Sequence, residues 1–202
     1  MRKCFLYCLA LLCIFMVDAQ TLPHLKLIPV DHILKVSFTQ KRYLTDIPKP
    51  IISAGHLLLW SGKGLIWRTE DPFPVATLIT RNGLYQLEES QKVPVGQHGP
   101  EGAIFEMMSK ILSGSFSELK EFIMTSLQPE HGKWKVRLVP TLPSLQSLIS
   151  SIEVEGDEYI SDIIIYRSNG DRDEIFMKNH RILGNQEKDK AMSLEERAWF
   201  DD

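Results

Sequence analysis

Ile51-Ile52-Ser53-Ala54-Gly55-His56-Leu57-Leu58-Leu59-Trp60, Ser61-Gly62-Lys63-Gly64 and Leu65-Ile66-Trp67-Arg68-Thr69 together decide the fold. Two strand-forming runs flank a glycine-bearing turn, which is the pattern of a β-hairpin. An antiparallel sheet with one wet face alternates apolar and polar residues along each strand. Here the alternation fails: residues 56–60 are largely apolar on both faces, and Leu65, Ile66 and Trp67 repeat this in the partner strand. Alternation still sorts the side chains, placing Leu57, Leu59, Leu65 and Trp67 on one face. A sheet covered on both faces accounts for the pattern. So does a curved sheet with helices on one face and a lipid-sized cavity, although packing alone favours the plain core.

Downstream, Asp71-Pro72-Phe73-Pro74 is a break, residues 75–80 are β-branched and apolar, and Arg81-Asn82-Gly83 is a tight-turn signal before Leu84-Tyr85-Gln86-Leu87. Asn-Gly suits a hairpin turn because both central residues take positive φ. Upstream, Val30, Ile33, Leu34 and Phe38 recur at helical spacing, with Asp31 in the first turn. This predicts a short helix giving way to a strand at Phe38-Thr39-Gln40-Lys41-Arg42, ended by Pro48-Lys49-Pro50. Residues 93–102 read as a loop. Residues 103–112 and 116–127 read as two short helices, with Ser115 as an N-cap. Strands resume at 133–139, 147–155, 159–167 and 173–181. The last dozen or so residues are charged, with one apolar pair at Trp199-Phe200, and read as a frayed helix or a disordered tail. Helix, strands, helices, strands with short links imply an α+β domain on one antiparallel sheet.

Residues 1–19 have the layout of a secretory signal: Arg2 and Lys3, an apolar run from 4 to 17, and Val17-Asp18-Ala19 with cleavage after Ala19. The run is about 14 residues, short of the roughly 20 that a spanning helix needs. Cys4, Cys8 and Cys13, the only cysteines, all lie in this segment, so the mature chain is expected to have no disulfide and no thiolate metal site. Residues 20–202 are enough for one domain with an ordinary apolar core. The net charge of -3 becomes one unit more negative when Arg2, Lys3 and Asp18 are removed, and no basic stripe suggests nucleic acid.

Chemistry-bearing patterns are sparse. The six histidines (His24, His32, His56, His98, His131, His180) are scattered, and none pairs at a metal-ligand spacing with a nearby carboxylate. There is no Gly-x-Ser-x-Gly elbow, and Gly62-Lys63-Gly64 is too short for a phosphate loop. Glu153, Glu155, Asp157 and Glu158, and likewise Asp171, Asp173 and Glu174, sit where hairpins end. They lack a calcium-loop pattern and read as solvated charge. No catalytic residue, metal or cofactor is therefore expected.

Phe38-Thr39-Gln40-Lys41, Gly55-His56-Leu57, Leu65-Ile66-Trp67, Pro72 and Asn82-Gly83 before Leu84-Tyr85 resemble the N-terminal half of the periplasmic outer-membrane lipoprotein carriers, the LolA family. That family has Phe-x-Gln, Gly-x-Leu, an apolar-x-Trp strand, Pro and Asp-Gly in this order, and the spacing from Gly55 through Trp67 to Pro72 matches without a gap. Beyond residue 103 the likeness is only architectural. The resemblance implies an unclosed antiparallel β-barrel, a half-barrel with helices covering its concave apolar face. It also implies a periplasmic, monomeric carrier that takes acyl chains of lipoproteins from an inner-membrane exporter to an outer-membrane acceptor. Leu57, Leu59, Leu65 and Trp67 are the implied cavity walls, joined by Phe38 and Ile79. Where the family commonly carries Arg-Pro before the Trp strand, a pair tied to ligand release, this chain has Ser61-Gly62, with Lys63 two residues after Ser61. This points to a divergent branch, whose cargo could be a different lipid or glycolipid. A lipid- or ligand-sensing regulatory module on the same half-barrel is the alternative.

Overall fold

In the computed structural model, residues 25–88, 91–95, 100–130 and 132–200 are described. The expected signal at residues 1–19 with its three cysteines, and His24, His98 and His131, lie outside the described residues.

Eleven strands form one sheet. They are β1 (Ile33–Tyr43), β2 (Ile51–Trp60), β3 (Gly64–Asp71), β4 (Val75–Thr80), β5 (Gly83–Glu88), β6 (Gln91–Pro94), β7 (Phe122–Glu130), β8 (Lys133–Pro140), β9 (Ile149–Gly156), β10 (Ile160–Arg167) and β11 (Arg172–Leu183). The helices are α1 (Pro100–Leu112), α2 (Pro143–Gln146), α3 (Lys188–Ala191) and α4 (Leu194–Ala198). The strand order is β6-β5-β4-β3-β2-β1-β11-β10-β9-β8-β7, antiparallel throughout. β6 and β7 remain as the two edges, so the sheet is an unclosed half-barrel, with α1 linking its edge strands. No helix among the described residues is long and apolar enough to cross a membrane.

The central hairpin explains why its alternation fails. Leu57, Leu59, Leu65 and Trp67 belong to the main core on the concave face, together with Leu34, Val36 and Phe38 of β1 and Met107, Met108, Ile111 and Leu112 of α1. Ile33, Leu58, Trp60, Ile66 and Leu78 point the other way, into a second cluster with Ala191, Met192 and Phe200. Both faces are covered, each by a different part of the chain.

Three sequence expectations need correction. The helix expected at the start of 29–43 is strand β1. β1 lies at the centre of the sheet and is buried on both faces near its start, so Ile33 beside Leu34 imitates helical spacing. The helix expected over 116–127 is a 3-10 turn (Phe116–Glu118) followed by edge strand β7, and Ser115 makes no side-chain cap bond. The C-terminal residues are neither frayed nor loose where described. α3 and α4 pack on the convex face, with Phe200 edge-on to Trp60 at 5.4 Å. As expected, helical segments cover the concave face: α1 and, after it, the 3-10 turn through Phe116 and Leu119.

The acidic clusters also differ from the reading as solvated charge. Glu153 and Asp173 are buried. Glu153 is paired with Lys135 at 3.0 Å and with Arg137.

Candidate lipid-binding site

All six expected wall residues lie on the concave face. The register makes Leu57 the partner of Trp67 and Leu59 the partner of Leu65. Leu65 in turn faces Ile79, and Phe38 faces Gly55. β3 passes so close to Gly55 that a Cβ there would overlap the Arg68 carbonyl, and the Phe38 and Trp67 rings approach to 4.6 Å between centroids. All six are buried, so in this structure the face is closed: α1 fills it with Met107, Met108, Ile111 and Leu112.

The open space lies at one end of this face. A cleft of ≈ 890 Å³ is bounded by the β2–β3 turn, the β4–β5 turn, α1 and residues 27–30. Its apolar lining includes Ile28, Leu59, Ile79 and Leu84, and its charged lining includes Lys63, Arg81, Glu106, Lys110 and Glu118. Its size falls within the range of small-molecule pockets, about 300–1,000 Å³. Of the expected wall residues, Leu59 and Ile79 reach this cleft; Phe38, Leu57, Leu65 and Trp67 lie beneath the helix instead.

The turn before the Trp strand is built for fixed geometry. Ser61 is buried, and its hydroxyl donates to the Ile28 carbonyl at 3.2 Å. Its backbone N–H donates to His32 O at 2.9 Å and its carbonyl accepts from Asp31 N at 3.2 Å, so Ser61 pins the N-terminal segment to the sheet. Lys63 places its ammonium 4.1 Å from the Trp60 ring centroid and lines the cleft. Across the cleft Lys110 pairs with Glu106 at 3.1 Å, and Arg81 donates to Gly62 O at 3.3 Å. The indole Nε1 of Trp60 is buried with no hydrogen-bond partner among the described residues.

The described histidines, His32, His56 and His180, do not converge. His56 contacts Glu70 at 3.1 Å. His180 lies stacked on Tyr159 and bonded to the Ile160 carbonyl at 2.8 Å, and burial pushes its pKa down. Among the described residues no three His, Cys, Asp or Glu side chains could hold a metal ion. The wall residues contributed by α1, and Leu84 and Ile28 at the cleft, were not anticipated. Met107, Met108, Ile111 and Leu112 stand at helical spacing, and that signal could have found the inner face of α1.

No protein-family model matches the chain, and no curated protein matches it. Among solved structures it is similar to a LolA superfamily protein from Nitrosomonas europaea (TM-score 0.43, 12% identity, 80% of this chain and 91% of that one). It is also similar to the MucA/MucB complex of Pseudomonas aeruginosa (0.43, 9%, 80% of this chain), where it spans 56% of the matched chain. A third is a domain from Vibrio parahaemolyticus described as outer-membrane lipoprotein-sorting (0.31, 11%, 78% of this chain and 90% of that one). The half-barrel assignment rests on this chain's own strand order and two-faced burial.

Proposed function

We propose that the protein is a periplasmic carrier that takes up the acyl chains of a lipoprotein or related lipid between the concave sheet face and α1. The observation that supports this most is the concave face itself. A continuous apolar wall from Phe38 through Leu57, Trp67, Leu65 and Ile79 is covered chiefly by the 13-residue helix α1, and a cleft opens beside that helix onto Leu59 and Ile79. Exposing an acyl chain to water costs about 0.8 kcal/mol per CH₂, so a wall of this kind can hold one strongly. In this reading the arrangement with α1 on the concave face is the closed form of the carrier. Loading displaces α1 from the sheet, and the acyl chains take the places of Met107, Met108, Ile111 and Leu112. Unloading reverses this without a covalent step, because a ligand shifts the open and closed populations by its unequal affinity for them. An inner-membrane exporter supplies the cargo and an outer-membrane acceptor removes it.

Organic extraction of protein exported by a two-membraned bacterium, followed by mass spectrometry, tests the proposal. Acylated material at near-stoichiometric yield is expected. Trp67→Glu places a charge in the wall and should abolish that yield, with circular dichroism reporting whether the sheet persists. Trp67→Ala should reduce it and keep the fold. Lipid-free wild-type protein, or equal lipid content in a folded Trp67→Ala, would overturn the reading.

A further inference from the structure

At the end of the sheet away from the cleft, two features stand side by side that acyl binding leaves unused. The first is apolar. Ile47, Ile51, Ile52, Phe73 and Val75 are exposed there, Phe73 by 75%. They come from the β1–β2 loop, the start of β2, the β3–β4 turn and the start of β4. Large apolar side chains so gathered mark a contact surface rather than the scattered apolar residues of any protein. The two loops also contain Pro48, Pro50, Pro72 and Pro74, none of which has an N–H to strip of water on entering an apolar medium.

The second feature is cationic and directly adjacent, because Arg42 is the cross-strand partner of Ile51. Arg42 donates through Nε to Asp173 Oδ1 at 2.7 Å, and Arg167 donates through Nε to Oδ2 at 2.8 Å. Gln40 adds a bond to Oδ1 at 2.9 Å, and the Asp173 side chain is 1% exposed. A guanidinium has five N–H donors. Only Nε of each is bonded among the described residues, while the two side chains remain 44% and 26% exposed. One buried carboxylate thus fixes two guanidinium groups through Nε and leaves their terminal nitrogens for an outside acceptor. Asp171 accepts from Thr45 and Asn169 and also lies in the field of Arg167, without a hydrogen bond to it, and Arg172 pairs with Glu174 at 2.9 Å.

We propose that this end of the sheet docks on a phospholipid surface. Phe73 and Ile47 enter the acyl boundary while Arg42 and Arg167 grip a lipid phosphate, whose oxygens match paired guanidinium donors. Lys49 in this end's loop is outnumbered by Asp46, Glu70 and Asp71, so there is no general basic excess. The charge match is local to the phosphate, and the zwitterionic phosphate of phosphatidylcholine satisfies it. Docking does not depend on what the concave face holds, and its test reads vesicle binding alone.

The full chain is sedimented with sucrose-loaded vesicles of phosphatidylcholine and of an equal phosphatidylcholine–phosphatidylglycerol mixture. It should bind both, with affinities within about threefold of each other, because no polybasic attraction is involved. The double variant Ile47→Ser/Phe73→Ser should lose about tenfold or more in affinity with an unchanged circular dichroism spectrum. Arg42→Lys keeps a cation for Asp173 but has no second nitrogen to offer a phosphate, and should bind several-fold more weakly. No binding by the wild type, binding to anionic vesicles alone, or a double variant that binds like the wild type would each overturn the proposal. Arg42→Lys binding like the wild type would overturn its phosphate contact.

Discussion

Asp173 is a carboxylate almost without water, and its charge persists because Gln40, Arg42 and Arg167 supply three hydrogen bonds. Burial alone would raise its pKa, but the hydrogen bonds and charges of the two arginines outweigh that and hold it below the ordinary aspartate value. A folded-state pKa below the unfolded one contributes stability that is complete above the unfolded value, about 3.9, and is lost as pH falls through the folded value. Asp173→Asn should therefore cost about 2–3 kcal/mol at neutral pH, moderated by the solvent exposure of both arginines. The cost should shrink as pH falls below about 4, where the wild type loses the same charge. Urea midpoints of both proteins across that range check this, and a constant gap would assign the loss to packing instead. Chain spacing could not reveal this residue. Its partners lie on β1 and β10, and only the closing of β1 onto β11 brings Arg42 and Gln40 to it. That Leu57, Leu59, Leu65 and Trp67 share one face was legible because alternation sorts faces without knowledge of what covers them. Gly55 was legible only as part of a motif. Its physical reason is that a Cβ there would overlap the Arg68 carbonyl on β3.

At the scale of elements, the convex face depends on the last segment of the chain. α3 and α4 are too short to show a helical period, so their amphipathic character could not be read. The one local signal is Ser193-x-x-Glu196, which the structure shows as a reciprocal capping box. Glu196 then pairs with Arg68 of β3 at 3.0 Å, and Lys92 of β6 donates to the Trp199 carbonyl at 3.2 Å. These ties set Met192 and Phe200 against Trp60, Ile66 and Leu78. Phe200→Ala should lower stability by about 3 kcal/mol, the low end for a buried aromatic, because a short helix such as α4 can partly collapse into the space. Chemical denaturation measures that loss. Together with it, 8-anilinonaphthalene-1-sulfonate fluorescence at native conditions should rise as the apolar convex strip is uncovered. A stability loss under about 0.5 kcal/mol, the level of an ordinary surface substitution, would show that the strip is held without this segment.

Across the whole molecule, the two faces differ in how their covers are attached. The sheet is closed at its centre by the β1–β11 ladder, which runs from Ile33 opposite Leu183 to Tyr43 opposite Arg172 and joins the two ends of the domain. α1 has no such ladder. It rests on the concave wall through Met107, Met108, Ile111 and Leu112, while Ile28 N reaches Ser113 O at 3.5 Å just beyond its end. An element held by side chains alone opens at a lower free energy than the centre of a sheet. Hydrogen exchange should therefore show the amides of residues 107–112 opening well before those of β1, in a step separate from global unfolding. A saturating acyl ligand such as lauric acid should alter exchange in α1 and in the two turns at residues 61–64 and 81–83, which border the cleft. β7 to β9 should exchange unchanged, since their pairing does not involve the cleft. If α1 and β1 exchange together, the helix does not act as a separate lid, and acyl chains could reach the concave wall only by unfolding the sheet that forms it.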